Sequence, residues 1–262
     1  LQESIEPDLP EVFVDSDKAV RVIINIVVNA IKFSPKGGEV TLWAKLQEGG
    51  DVQIGVTDHG RGMSREEIEV IFNRFTQTGD QAQSAKGLGL GLCIVKELVG
   101  LNLGELQVAS EPGQGSTFSF TVPTAEPNVI LERYFSQLSK VIGPQDCVVA
   151  LRVSTEDPSG GCEEVYPFLT GICYPTDLVL ASDDGSSLLA IGLTSEPNCW
   201  MRRLRSTWAG MVPDNPNERQ CEIRIEHVGS WFYRQERDSV VSFLIGLLHG
   251  SASYAGKNSD HR

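Results

Sequence analysis

Residues 87–99 read GLGLGLCIVKELV, so three glycines alternate with leucines and lead directly into an apolar helical pattern. Glycine weakens the interiors of both helices and strands, and a run this dense indicates backbone that bends sharply or lies close to another group. The first turn of a helix has free amide groups at the positive end of its dipole, which suits an anion such as phosphate. The spacing is neither that of the Walker loop nor that of G-x-G-x-x-G. The run therefore predicts a phosphate site of a different kind.

Amphipathic patterns around this run predict helices mixed with strands, the mark of an α/β chain. The predicted helix lies at 17–34, and the predicted strands lie at 39–46, 51–58, 105–110 and 116–122. The first two strands flank the turn QEGG and the last two flank EPGQG, so each pair is predicted to form a hairpin. At 123–128, PTAEPN interrupts the periodicity with two prolines. We place a domain boundary there, between domains 1–124 and 125–262.

The formal net charge of −13 opposes the binding of nucleic acid or of an anionic membrane surface. The longest apolar stretch, VIINIVVNAI at 22–31, is broken by asparagine and is shorter than the ~20 residues that a membrane span needs. Six cysteines without C-x-x-C spacing indicate free thiols in a reducing compartment, and we predict a cytoplasmic location. The chain begins with neither Met nor a signal peptide. We therefore expect further sequence upstream.

Three polar side chains, Asn25, Asn29 and Lys32, share one face of the first helix. A solvated helix face explains the pattern, but asparagine is a poor helix former and two in register are an unusual choice for solubility alone. Amide oxygens that coordinate a hard cation, beside a lysine that contacts phosphate, are the functional alternative.

The segment DHGRGMS at 58–64 follows a predicted strand. Asp and Gly are common in ordinary loops. Alternatively, the Asp58 carboxylate accepts a hydrogen bond from an exocyclic amine while Gly60 and Gly62 let a flat ring lie close to bare backbone.

Five motifs in order resemble the N, G1, F, G2 and glycine-threonine boxes of the catalytic, ATP-binding domain of sensor histidine kinases. They are NIVVNAIKFSP (25–35), DHGRGM (58–63), IFNRF (71–75), GLGLGLCIVKELV (87–99) and GQGSTFSFTVP (113–123). The resemblance covers about residues 1–124. It implies a two-layer α/β sandwich with a mixed sheet that binds ATP and Mg2+.

The same resemblance assigns roles to single residues. The predicted ATP-binding residues are Asn25, Asn29, Lys32, Asp58, Gly60, Gly62, Met63, Phe75, Lys86, Gly87, Leu88, Gly89, Leu90, Gly91 and Thr117. Asn29 resembles the magnesium ligand, Asp58 the adenine-binding aspartate, and Thr117 the threonine that completes the adenine site. The polar segment 73–86 resembles the mobile lid of the family.

The resemblance implies transfer of the γ-phosphoryl group of ATP to a protein histidine. Related ATPases carry a glutamate base one helical turn before the metal asparagine, where this chain has Asn25, which cannot accept a proton from water. In the family the acceptor histidine lies on a separate, dimeric helical hairpin. None of His59, His227, His249 and His261 lies in a matching context, so we assign no catalytic residue within the chain.

The implied partners are dimerisation and phosphoacceptor helices upstream and the receiver domain of a response regulator. Two alternatives stay open: a non-catalytic nucleotide-binding scaffold and a serine kinase of the anti-sigma type, which shares the ATP-binding fold. One departure from the family is GLNLGEL at 100–106, where His-Gly-Gly is usual. We expect the fold to tolerate it.

The second domain alternates helices and strands after residue 129. Predicted helices lie at 129–142, 162–173, 198–211 and 236–248, and predicted strands at 147–154, 177–182, 187–193 and 221–229. The core order βαββαβ is ferredoxin-like. The central hairpin at 174–193 resembles that of diguanylate cyclase (GGDEF) domains, but SDDGS occupies the signature turn and is best interpreted as an ordinary Asp-Gly turn. The resemblance implies a degenerate, regulatory relative.

Overall fold

The structure, a computed structural model, describes residues 1–73, 90–143, 146–155, 162, 165–194, 196–210 and 222–249. Two compact units divide the chain, Leu1–Arg133 and Tyr134–Arg262. The division falls within a helix, α4, a few residues after the predicted boundary. Five predicted site residues, Phe75, Lys86, Gly87, Leu88 and Gly89, lie outside the described residues, as does nearly all of the predicted lid.

The first unit is a two-layer arrangement built on a mixed sheet. Its elements are β1 (Gln2–Ile5), α1 (Ser16–Phe33), β2 (Val40–Leu46), β3 (Asp51–Asp58), α2 (Arg65–Val70), α3 (Gly91–Leu101), β4 (Leu106–Glu111), β5 (Gly115–Pro123) and the start of α4 (Pro127–Leu138). The strand order is β1-β2-β3-β5-β4, with β1 parallel to β2 and the other pairs antiparallel. The helix, both hairpins and the mixed sheet are as predicted, whereas β1 and α2 were not predicted.

Helix α1 is fixed by its cap and by one apolar face. The side chain of Asp15 accepts a hydrogen bond from the Lys18 amide at 3.0 Å, which satisfies a free donor of the first turn. The buried side chains at helical spacing are Ala19, Val22, Ile26 and Ala30. They share one hydrophobic core with Val95 and Val99 of α3 and with Val56 and Phe118 of the sheet. Burial of each larger aliphatic side chain contributes about 1.5–3 kcal/mol, so α1 and α3 are held together on one side of the sheet.

The second unit has the ferredoxin-like topology that the sequence predicts. After the remainder of α4 it contains β6 (Cys147–Thr155), α5 (Val165–Ile172), β7 (Leu178–Ala181), β8 (Ser187–Thr194), α6 (Pro197–Ala209), β9 (Ile223–Trp231) and α7 (Tyr233–Leu248). The strand order is β7-β8-β6-β9, and every neighbouring pair is antiparallel. The core is formed by one face of this sheet with α5 and α6, and includes Val149, Leu151, Leu169, Leu188 and Leu204.

Among the described residues, no helix is both long and apolar enough to cross a membrane. Five cysteines of the described part are free thiols: Cys93, Cys147, Cys162, Cys173 and Cys199.

Candidate nucleotide-binding site

Asp58, the last residue of β3, is the buried acid of the candidate site. Its side chain lies on the side of the sheet that α1 covers, and the residue is only 4% exposed. The Gly60 amide donates to Asp58 Oδ1 at 2.8 Å, which fixes the carboxylate. Within the described residues Oδ2 has no hydrogen-bond partner, so it remains an acceptor for a ligand.

The loop after Asp58 is packed against the turn between β4 and β5. Gly62 has φ +64°, and a Cβ there would lie 1.8 Å from the carbonyl oxygen of Glu111, so no other residue fits without moving backbone. The Gly113 amide donates to the Arg61 carbonyl at 2.7 Å, and the Met63 amide donates to Ser110 Oγ at 2.9 Å. The loop is thus held in one conformation.

Ser110 is the residue that motif reasoning missed. Besides accepting from Met63, its hydroxyl donates to the Gly115 carbonyl at 2.8 Å and lies 3.0 Å from Ser116 Oγ. It therefore joins the loop to the turn that lies behind it. A serine immediately before the turn EPGQG gives no such signal until the pairing of the strands is known.

Helix α2 ends the loop with a capping box. Ser64 Oγ accepts from the Glu67 amide at 3.3 Å, and Glu67 Oε2 accepts from the Ser64 amide at 2.9 Å. The other oxygen of Glu67 pairs with Arg61 Nη1 at 2.9 Å. The Ser64 hydroxyl also donates to Glu66, which lowers the pKa of that exposed carboxyl. Both ends of the loop are therefore anchored.

The asparagine stripe of α1, formed by Asn25 and Asn29, comes close to the first turn of α3 at Asn25. Asn25 Nδ2 donates to the Arg21 carbonyl at 2.8 Å, which orients the amide so that its oxygen points away from its own helix. A Cβ at Gly91 would lie 3.3 Å from Asn25 Oδ1, so the start of α3 comes close to this oxygen. Asn29 lies one turn further along α1 and is partly exposed, and Lys32 Nζ lies 5.0 Å from the ring centroid of Phe33.

The start of α3 carries amide donors without a side-chain cap. Leu90 is the N-cap residue, and its side chain makes no capping hydrogen bond. Such a terminus attracts anions through its free amides and the helix dipole. Leu90 and Gly91 are the only predicted residues of the glycine run in the described part of the chain, and both lie at this terminus.

The structure places Thr117 and Asp58 on opposite faces of the sheet. In the β3–β5 register Asp58 pairs with Ser116 and Thr57 pairs with Thr117. Because side chains alternate along a strand, Thr117 lies on the opposite face, where its hydroxyl is 3.0 Å from Thr57 Oγ1. The buried Ser116 occupies the side of Asp58. The structure therefore does not bring the two predicted adenine-binding residues Thr117 and Asp58 together.

The departure GLNLGEL is accommodated, as expected. Asn102 Oδ1 accepts from the Asp15 amide at 2.9 Å, which ties the end of α3 to the start of α1. Leu103 has φ +58°, a conformation in which glycine is favoured. A Cβ at Gly104 would lie 2.0 Å from the Thr121 carbonyl oxygen, so the strand that follows passes close to β5.

No group of three or more His, Cys, Asp or Glu side chains is placed to hold a metal within the described ranges. A divalent cation at this site would depend on amide oxygens and on oxygens of its ligand. That donor set is all oxygen, which fits Mg2+.

Comparison with known proteins gives consistent matches over this unit. Residues 14–126 match the family model "Histidine kinase-, DNA gyrase B-, and HSP90-like ATPase". The chain is 40% identical over 116 residues to the adaptive-response sensory kinase SasA of Synechococcus elongatus, covering 44% of this chain and 30% of that protein. It is 39% identical over 127 residues to the sensor-like histidine kinase SenX3 of Mycolicibacterium smegmatis, a match that covers 47% of this chain and 33% of that protein.

Among solved structures, the mycobacterial sensor histidine kinase MprB is 31% identical, with a TM-score of 0.43, and the match covers 47% of this chain and 82% of that one. The chain spans about a third or less of the length of the curated relatives it matches, since the shares are 30%, 16% and 32% for the first three. The family match ends at residue 126, so the degenerate GGDEF-like nature of the second unit stays a prediction. Residues 14–126 are therefore similar to ATPases of the histidine kinase, DNA gyrase B and HSP90 type.

Proposed function

We propose that the first unit is the ATP-binding catalytic part of a two-component sensor histidine kinase. It transfers the γ-phosphoryl group of ATP to a histidine on a dimerisation helix that this chain does not contain, for relay to a response regulator. The observation that carries the proposal is Asp58, a buried carboxylate whose Oδ1 is fixed by the Gly60 amide and whose Oδ2 is left for the amine of adenine.

The other groups of the site fit the rest of the nucleotide. The adenine ring lies against the loop at 59–63, which Gly62 and Ser110 hold in place. The phosphates lie at the uncapped start of α3, beside the amide oxygen of Asn25. Asn29 would hold Mg2+ through its amide oxygen, and the bound ion would neutralise phosphate charge.

Transfer is favoured over hydrolysis because the site lacks a base at the position that faces the phosphates. Asn25 uses its Nδ2 on the Arg21 carbonyl, and neither atom of a neutral amide accepts a proton from water at ordinary pH. The chain binds and orients ATP so that an outside nucleophile attacks in line. The bond that breaks joins the γ-phosphorus to its bridging oxygen, ADP leaves, and the new bond joins that phosphorus to the imidazole nitrogen.

The experiment is calorimetric titration of the full chain with a non-hydrolysable ATP analogue, with and without Mg2+. Asp58→Ala is expected to weaken binding more than about tenfold, since it removes a buried acceptor that pairs with the base. Asp51→Ala is the matched control, because Asp51 is a buried acid at the other end of the same strand and pairs with Arg133 at 2.6 Å. Equal effects of the two substitutions would remove the adenine assignment.

Asn29→Ala tests the metal. We expect it to weaken binding with Mg2+ far more than binding without Mg2+, because only the former uses the amide oxygen as a ligand. Equal losses in both titrations would show that the asparagine stripe is structural. Absence of ATP binding by the unsubstituted chain would favour a scaffold over a kinase.

A further inference from the structure

The second unit contains a cleft of about 160 Å³ that the proposed kinase function does not use. Its walls come from the end of β8, the first turn of α6 and the turn between α5 and β7. Ligand pockets for drug-sized molecules measure roughly 300–1,000 Å³. This cleft therefore fits a molecule smaller than a nucleotide.

One wall carries donors that have no acceptor. Arg203 Nε and Nη2 are buried, and neither has a hydrogen-bond partner in the described part of the chain. The indole N–H of Trp200, a residue that is 6% exposed, is also buried without a described partner. The Arg203 guanidinium lies 4.5 Å from the ring centroid of Tyr174, which holds its plane in position. Buried donors of this kind are costly unless an acceptor is supplied.

The lining also carries a carboxylate, that of Asp177. Asp177 Oδ2 accepts from the Tyr174 amide at 2.8 Å, and burial raises the pKa of this acid to about 6. Arg203 lowers that pKa only through space and not through a hydrogen bond. A Cβ at Gly192 would lie 2.9 Å from Asp177 Oδ1 and 3.0 Å from Trp200 Cη2. Both side chains therefore pack against the backbone of Gly192, where a larger residue would not fit.

The Arg203 guanidinium and the Asp177 carboxylate thus line one small cleft without bonding to each other, and the only other charged residue in its described lining, Glu196, is exposed to solvent. A ligand that carries only a negative charge would leave Asp177 uncompensated, and one that carries only a positive charge would leave Arg203 uncompensated. A zwitterion satisfies both. We propose that this cleft binds a free α-amino acid, with its carboxylate on the Arg203 guanidinium and its ammonium group on Asp177.

The test is equilibrium binding of the twenty proteinogenic L-amino acids to the full chain at pH 7.5, with acetate and methylamine as probes of each half. At least one amino acid is expected to bind saturably below about 10 mM and at least tenfold more tightly than acetate or methylamine. An amino acid that binds no better than acetate would reveal an anion site only and would overturn the proposal. Absence of saturable binding by all twenty would also overturn it.

Two variants locate the site. Arg203→Met is expected to weaken binding of the best amino acid more than tenfold, because it removes the bidentate donor. The matched control is Arg202→Met, since the neighbouring Arg202 is exposed and contacts Cys199 Sγ at 3.4 Å.

Asp177→Asn is expected to weaken amino-acid binding but not acetate binding. Equal losses in the Arg202 and Arg203 variants, or an unchanged affinity in Asp177→Asn, would contradict the assignment. ATP-analogue binding by the first unit is measured in the same samples, so failure here is distinguishable from failure of the proposed kinase function.

Discussion

Two glycine-bearing hairpin turns, one in each unit, have similar composition and very different surroundings. The turn EPGQG (111–115) has Gly115 at φ +88°, and SDDGS (182–186) has Gly185 at φ +66°. A Cβ at Gly115 would lie 2.0 Å from the carbonyl oxygen of Asp58, whereas a Cβ at Gly185 would have nothing within 4 Å. The first turn packs against the candidate site, whereas the second contacts the end of α7 through Asp183, whose amide donates to the Leu248 carbonyl at 3.1 Å. Packing around a turn, rather than its residues, distinguishes the two.

The second turn satisfies its own polar groups. Asp184 Oδ1 accepts from Ser182 Oγ at 2.7 Å and from the amide and hydroxyl of Ser186 at 3.0 and 2.8 Å. These bonds lower the pKa of Asp184 to about 2. The acid is thus engaged by its own turn, which agrees with the interpretation of SDDGS as an ordinary Asp-Gly turn. By contrast, the hydroxyl of Ser110 beside the first turn is bonded to the loop that follows Asp58.

The largest expected effect comes from Gly115→Ala. The new methyl group clashes with β3 backbone and adopts an unfavourable φ, so we expect a loss of about 3 kcal/mol of stability and of detectable ATP-analogue binding. Gly185→Ala meets only the backbone penalty, about 1 kcal/mol, and keeps nucleotide binding. Thermal unfolding and calorimetric titration of both variants provide the measurement. Equal costs would break the distinction between the two turns.

A smaller effect is expected from Ser110→Ala. Loss of the hydroxyl leaves the Met63 amide without its acceptor, which costs about 1 kcal/mol of binding free energy because the loop is no longer held in its binding conformation. That loss corresponds to an approximately fivefold weaker affinity for the ATP analogue. Ser110→Thr, which keeps the hydroxyl, should restore most of it. The control is Ser182→Ala in the other turn, which removes a comparable hydroxyl and should leave affinity unchanged. Normal affinity in Ser110→Ala would mean that the loop does not depend on this anchor.

The smallest effects concern two acids of the second unit with opposite pKa shifts. Asp184 has a lowered pKa, so it stabilises the fold above about pH 4 and loses that contribution as pH falls toward 2. Asp184→Asn should therefore lower the unfolding temperature at pH 6 and have less effect near pH 2. Differential scanning calorimetry across this range checks the sign. A difference that grows on acidification would contradict it.

Asp177 should behave in the reverse sense. Its pKa is raised to about 6, so the folded state holds the proton longer than the unfolded state does, and stability falls as pH rises from about 4 through 6. Asp177→Asn should raise the unfolding temperature slightly at pH 7.5 and have little effect at pH 4. A lower unfolding temperature at pH 7.5 would mean that the carboxylate is compensated in the free protein.

The predictable part of the fold was the part with strong periodicity. The helix at 17–34 and both hairpins of the first unit were found because each buries one face, as Val22 and Ile26 do in α1. Strand β1 was missed because all of its residues are exposed and give no alternation. Helix α2 is short and buries no residue, although its Ser64 and Glu67 form a capping-box pattern that the sequence does display.

The site was predictable in its motifs but not in its cross-strand details. Asp58 and the asparagines of α1 follow from their own segments. The side on which Thr117 lies follows only from the register of β3 with β5, and the role of Ser110 follows only from the contact of two loops that are far apart in sequence.

The most direct measurement of the central claim is a double cycle in which the exocyclic amine of the base and the Asp58 carboxylate are removed separately and together. Affinities of a non-hydrolysable ATP analogue and of its N6,N6-dimethyl derivative are measured for the unsubstituted chain and for Asp58→Ala. Asp58 recognising the amine predicts that dimethylation weakens binding more than about tenfold in the former and less than about twofold in the latter. The same loss in both proteins would contradict recognition of adenine by Asp58.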